Sequence, residues 1–349
     1  MIFRLRVHAG PFARSCCPVD AYLPLAPATP VRLLQQPGGR PRACQLVPAP
    51  QGSRLHWLVT RLPPQTTQEF YAIPAPGRKQ PVPRFRWTQA DDRTWVLHGD
   101  GIPRLKIVAE GTTGTLFLRL LHQQQPLTAA TIEPGPGAAS IGSGWWEARL
   151  CQPPSAGPVF AQALWTGTRF GTQERPSLTE LWELRHYATP RSLTLLDLTI
   201  TLQARCGPVH LDPASAFSVA TASMHEPVAG TTGPQVFVCD AYGLSSTRSQ
   251  AAWVRMRSGQ CGLALFAHSD HPGGRGGWEL GNPVRAMPLL HLEDWAAFAV
   301  PLRLTLATGE SLSFRYRILL HEAEVGHSWL HARYADLVAP PSVEVLDEA

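Results

Sequence analysis

Charge is what this chain has least of. Asp, Glu, Lys and Arg together supply 16% of its 349 residues, well under the roughly one-quarter usual in soluble domains. Lysine is nearly absent, occurring as Lys79 and Lys106, so the formal charge of +5 rests on scattered arginines. With no dense basic block, nucleic acid is not expected as a partner. No run of about eighteen apolar residues occurs, so no helix is expected to span or enter a membrane. The opening MIFRLRVHAG lacks the uninterrupted apolar core of a secretory signal. The seven cysteines form no CxxC pair and have no histidine at zinc-finger spacing. They read as reduced core residues of a cytoplasmic protein. Gly167 and Gly171 lack the lysine and the strand-to-helix setting of a phosphate loop, and no GxSxG elbow exists. No cofactor and no metal are expected, and the oligomeric state is not legible.

What is abundant is proline and glycine, 34 and 29 residues spread along the whole chain. Both disfavour long helices, and their spacing fits many short strands joined by turns. Apolar residues at 44% provide for a sizeable core. The length suits two domains, or one large β domain with an appendage. Residues 2–7 alternate apolar and polar, and further strands are expected near residues 30–34, 44–47, 55–59 and 69–73. Residues 1–75 are therefore read as a small sandwich of immunoglobulin-like type. A proline-rich linker over 76–83 follows, and 84–349 is read as a large antiparallel β-sandwich. Within it, Arg191 to Leu202 is the most strand-like run, and its threonines and strict period favour a strand over a helix. Leu302–Leu306 and Leu312–Leu320 around Gly309 read as a hairpin. Residues 322–338 read as the one helix. The class expected is all-β, two sandwiches with a short C-terminal helix.

The richest stretch chemically is Trp253–Pro288. A strand pair turning at Ser258-Gly259 empties into a glycine-rich loop with His268, Asp270, His271, Arg275, Trp278, Glu279 and Arg285. A histidine with a carboxylate partner is the minimum for acid–base work near neutrality. His268, Asp270 and His271 are thus catalytic candidates, with His186 and His225 able to supply a second group. Exposed tryptophan beside a carboxylate suits a sugar, one stacking on its apolar face and the other accepting hydroxyl bonds. Trp278-Glu279 and Trp146-Glu147 are such pairs, and Arg275, Arg285, Arg185, His291 and Glu293 complete the candidate binding set. Strand alternation puts Arg185 and Tyr187 on one face and His186 on the other. His327 and His331, four apart on the last helix, lack a zincin glutamate and read as helix surface. The bland alternative for the loop is a solvated turn whose histidines bond only their own backbone.

Several features in order resemble the PmoA-like family, bacterial β-rich proteins of unknown function. They are Arg191-Ser192-Leu193, then Ala216-Phe217-Ser218-Val219, Trp253-Val254 with Gly259 and Gly262, His271-Pro272 leading to Trp278, and Gly309 with Arg315-Tyr316-Arg317 and His321. The resemblance covers about residues 115–335. It departs in one respect, because the family's D-H-x-H-H-R-G segment is missing and Phe85–Gly114 offers only His98. The N-terminal module also resembles the β-sandwich appendage of some carbohydrate-active lyases. What the resemblance implies is a supersandwich like that of the aldose mutarotases, binding a carbohydrate on a concave sheet face. The function expected is carbohydrate binding or processing by histidine and carboxylate. The alternative is a non-catalytic sugar-binding or assembly protein in which the missing segment marks lost chemistry.

Overall fold

The computed structural model describes residues 1–77, 83–92, 94–110, 115–122, 125–133, 146–150, 154–170, 176–211, 217–222, 235–244, 252–258, 261–270, 277–281, 295–299, 304–322 and 325–346. For several strands between residues 109 and 150, and for those at 217–222, 277–281 and 295–299, only the backbone is described.

The first seven strands are β1 (Phe3–His8), β2 (Arg14–Leu23), β3 (Val31–Leu34), β4 (Pro41–Arg42), β5 (Cys44–Ala49), β6 (Gly52–Leu62) and β7 (Thr67–Pro74). Next come β8 (Phe85–Asp91), β9 (Thr94–Gly99), β10 (Ile102–Glu110), β11 (Thr115–His122), β12 (Gln125–Glu133), β13 (Trp146–Leu150) and β14 (Ser155–Ala156). Then follow β15 (Phe160–Phe170), β16 (Pro176–Tyr187), β17 (Leu193–Ala204), β18 (Val209–Leu211), β19 (Phe217–Ala222), β20 (Gln235–Cys239), β21 (Trp253–Ser258) and β22 (Cys261–Ala267). The chain closes with β23 (Gly277–Gly281), β24 (Trp295–Ala299), β25 (Leu304–Leu306), β26 (Ser311–Glu322), helix α1 (His327–Val338) and β27 (Ser342–Leu346).

The all-β class is therefore observed, with α1 the one helix among the described residues. In the small sandwich, sheet β27-β1-β7-β3-β4 packs on sheet β2-β6-β5. Strand β1 alternates buried and half-buried residues, sending Phe3, Leu5 and Val7 into a core with Leu23, Leu55, Trp57 and Phe70. Each such side chain contributes about 1.5–3 kcal/mol on leaving water. The closing strand, β27, pairs with β1 from Arg4↔Leu346 to His8↔Ser342, so the chain's end returns to its first sheet.

The large sandwich stacks an eight-stranded sheet, β23-β24-β19-β12-β11-β10-β9-β8, on a nine-stranded one, β13-β15-β16-β17-β26-β22-β21-β20 with β14 beside β15. Phe85, Leu97, Leu105 and Ile107 from the first sheet meet Trp165, Trp182, Leu198 and Phe314 from the second. Strand β17 shows why: Leu196, Leu198, Ile200 and Leu202 point into this core while Asp197, Thr199 and Thr201 point away. The other face of the nine-stranded sheet is partly covered by α1 and by the small sandwich. Phe160, Tyr187, Trp253 and Phe266 pack there against Leu330 and Tyr334 of α1 and against Val47 and Leu58. The Oε1 of Gln45 accepts the amides of Val159 and Phe160 at 3.3 and 3.2 Å. A side chain at Gly157 would collide with the Gln45 side chain, so this glycine permits the docking.

Two local expectations are corrected. The segment Arg14–Leu23 is not among the strands expected, yet it pairs with β6 from Arg14↔Leu62 to Leu23↔Ser53. It is an edge strand, where a proline's missing N–H costs no ladder bond, and its irregularity is taken up at Cys16 (φ 50). The strands flanking Gly309 do not pair with each other. β26 lies between β17 and β22, whereas β25 pairs with β18. The turn bonds the end of β17 instead, through Ala204 N to Glu310 O (3.1 Å) and Gly309 N to Ala204 O (2.8 Å).

Candidate functional site

The candidate site grows out of register in the nine-stranded sheet. Across β15, β16, β17 and β26 the partners run Gln162↔Arg185, Arg185↔Asp197 and Asp197↔Arg317. One alternation further along, Glu183↔Thr199 and Thr199↔Arg315 stand in line. Residues directly opposite in an antiparallel pair share a face. Two adjacent rows of polar side chains therefore lie on the face turned away from the sandwich core. His268 joins the second row, because its amide donates to the Arg315 carbonyl at 3.0 Å just beyond the end of β22.

These groups hold one another. Arg317 donates to Asp197 through Nε (2.6 Å to Oδ1) and Nη2 (2.8 Å to Oδ2), and the Tyr187 hydroxyl donates to Oδ2 at 3.1 Å. Burial alone would pull the Arg317 guanidinium down, but the charge and hydrogen bonds of Asp197 more than reverse it. Arg185 Nη2 sits 2.5 Å from Glu183 Oε1, which also accepts from Gln162 Nε2 at 2.8 Å. The Arg185 guanidinium lies over the Phe160 ring, 5.3 Å from its centre. Its Nε is buried without a hydrogen-bond partner among the described residues. Exposure grades across the face: Arg317 is 5% exposed, Asp197 22%, Glu183 27%, Arg185 30% and Arg315 51%. The face is thus open at the Arg315 end and closed where the small sandwich docks.

His268 and Asp270 meet most closely through the backbone. The Asp270 backbone amide donates to His268 Nδ1 at 3.1 Å, while the Asp270 carboxylate stands 3.6 Å from that nitrogen and 3.6 Å from Arg315 Nη2. The turn after β22 brings the amide, not the carboxylate, to the ring. With Nδ1 accepting, Nε2 carries the proton, and burial together with the Arg315 charge lowers the imidazole's pKa. His268 is a neutral hydrogen-bond donor here.

His186 lies on the opposite face from Arg185, as strand alternation requires. It is buried edge-on against Phe85, ring centres 5.1 Å apart, with neither ring nitrogen partnered among the described residues. Burial, with help from the Arg104 charge, draws it down to about 4. His186 and His268 therefore do not converge. Trp278 and Glu279 belong to β23 at the edge of the eight-stranded sheet, a different sheet from that of His268. Trp146 and Glu147 lie in β13 at the far edge of the nine-stranded sheet, paired with Arg169 and Thr168. His225, His271, Arg275, Arg285, His291 and Glu293 lie outside the described residues. Among the described residues no three His, Cys, Asp or Glu side chains gather as a metal would need. The sequence reading missed Glu183, Asp197, Arg315 and Arg317. The signal for them was charge placed in the middle of long, otherwise apolar strands.

An antiparallel all-β protein with a polar sheet face is thus defined. Residues 152–334 match a family of unknown function (DUF6807), and the chain belongs to that family. This finding replaces the PmoA-like resemblance drawn from the same part of the sequence. No curated protein matches the chain. Among solved structures, it resembles an alpha-mannosidase from Enterococcus faecalis V583 at TM-score 0.51 and 12% identity, covering 99% of this chain and 46% of that one. It also resembles a protein in the glycosyl hydrolase family 38 from Enterococcus faecalis at TM-score 0.54 and 12% identity, covering 99% and 47%. The chain spans less than half the length of these proteins, and the likeness shows the fold alone. Among the described residues no helix is long and apolar enough to cross a membrane.

Proposed function

We propose that the protein binds a carbohydrate on the outward face of the nine-stranded sheet. The observation that carries this is the pair of polar rows, Gln162-Arg185-Asp197-Arg317 and Glu183-Thr199-Arg315, with His268 at their end. A polyhydroxylated ligand needs donors and acceptors closely interleaved on a rigid surface. Guanidiniums and the His268 Nε2–H donate, and the carboxylates of Glu183 and Asp197 accept. Both carboxylates are already bonded to arginine, which fixes them in place and suits them to hold hydroxyls. The structural neighbours include an alpha-mannosidase and a protein in the glycosyl hydrolase family 38, so the fold is one found among sugar-acting proteins. The test is sugar binding by the full chain and its loss in Arg315→Ala, where an exposed side chain leaves the core untouched.

A further inference from the structure

A second feature lies away from the polar rows. A cleft of about 280 Å³ opens where the small sandwich meets the large one. Cys16, Arg42, Leu58 and Thr60 line it from the first, and Arg84 and Val159 from the second, with no carboxylate among the described lining residues. Leu58 and Val159 are apolar members of its lining, which also holds two arginines, a threonine and a cysteine.

Arg84 is held rigidly. It reaches Asp100 through Nε (3.0 Å) and Nη2 (2.8 Å), and its Nη1 donates to the Ala188 carbonyl at 3.1 Å. Asp100 offsets the charge of Arg84 within that pair. The Arg84 hydrogen bonds above all, then the charges of Arg84, Arg191 and Arg104, keep its carboxyl below the ordinary range. On the other wall Arg42 donates to the neutral amide oxygen of Gln35 at 2.5 Å, the second arginine of the lining and one whose bond there is not to an acid.

We propose that this cleft binds a small organic anion, a carboxylate- or phosphate-bearing molecule of about sugar size, between Arg42 and Arg84. Arginine suits the task because its planar fork matches both anionic groups, and the volume is near the lower end for small-molecule pockets. Since its walls come from both sandwiches, an occupant would bridge them. The proposal is independent of the sheet-face reading and shares no residue with it.

Calorimetric titration of the full chain with D-glucuronate, with glucose 6-phosphate and with uncharged glucose tests it. At least one of the two anions should bind saturably, and which one binds identifies the anionic group. Its affinity should fall about tenfold in Arg42→Ala, the loss of one charged hydrogen bond, and stay unchanged in Arg54→Ala, an exposed arginine outside the cleft. Arg42 is exposed on a two-residue strand, so that variant should fold, and its melting temperature checks this. Binding by neither anion, undiminished binding in Arg42→Ala, or equal Arg42-dependent binding of glucose would overturn the proposal.

Discussion

Asp197 and Arg317 stand directly opposite each other on β17 and β26, 120 residues apart in sequence, joined by bonds of 2.6 and 2.8 Å. Their pairing anchors the polar rows and keeps the 5%-exposed Arg317 from being an unpaired buried charge.

Asp197→Ala should accordingly destabilise the fold by about 3 kcal/mol, the lower end for breaking a buried pair, because Asp197 itself retains some solvent contact. Urea unfolding of the variant measures this. A loss under about 1 kcal/mol would mean that solvent, not Asp197, carries the Arg317 charge.

A similar dependence joins the last helix to the small sandwich. Asp336 lies 2.9 Å from Arg14 Nη1 and 2.8 Å from Arg333 Nε, all three side chains at most 3% exposed. Arg14 also donates to Ala9 O and Ala339 O, and Arg333 to Ala13 O and Ser15 O. Asp336→Ala leaves two guanidiniums without their shared carboxylate and should cost about 3–5 kcal/mol. Limited proteolysis should then cut first between α1 and β27, since helix and strand lose their common anchor. Unchanged stability and an unchanged cleavage pattern would show that the backbone carbonyls alone hold the arginines.

Two buried histidines set an acid dependence. Burial first of all draws His186 and His56 down to about 4 from an ordinary 6.5. Between those values the unfolded chain binds more protons than the folded one, so stability rises with pH through that window. The contribution is complete above about pH 6.5 and is lost progressively as the pH falls toward 4, at roughly 3 kcal/mol for each group. Urea midpoints from pH 4.5 to 7 should show the rise, and His186→Leu should remove about half its slope. An unaltered slope would assign the acid dependence elsewhere.

Local pattern carried the fold a long way. The alternation in β17, the pair β21–β22 and the opposed faces of Arg185 and His186 were all legible, because each depends only on period-two geometry within a strand. β2 went unread, and the strands around Gly309 were mispaired because local turn chemistry does not say which sheet a strand enters. The site was less legible for the same reason. Gln162, Arg185, Asp197 and Arg317 become neighbours only through the register of four strands, and no local window contains it. The histidine loop drew attention by its residue types, yet its His268 is held by a backbone amide, and Trp278 and Glu279 belong to another sheet.

The most direct measurement is sugar binding. The full chain would be screened on a glycan array, and the best ligand titrated calorimetrically against the native protein, Arg185→Ala and Arg315→Ala, with melting temperatures as folding controls. Saturable binding to the native protein, weakened about tenfold or more in both folded variants, is the predicted result. No glycan bound, or equal affinity in all three proteins, would contradict the sheet face as a carbohydrate site.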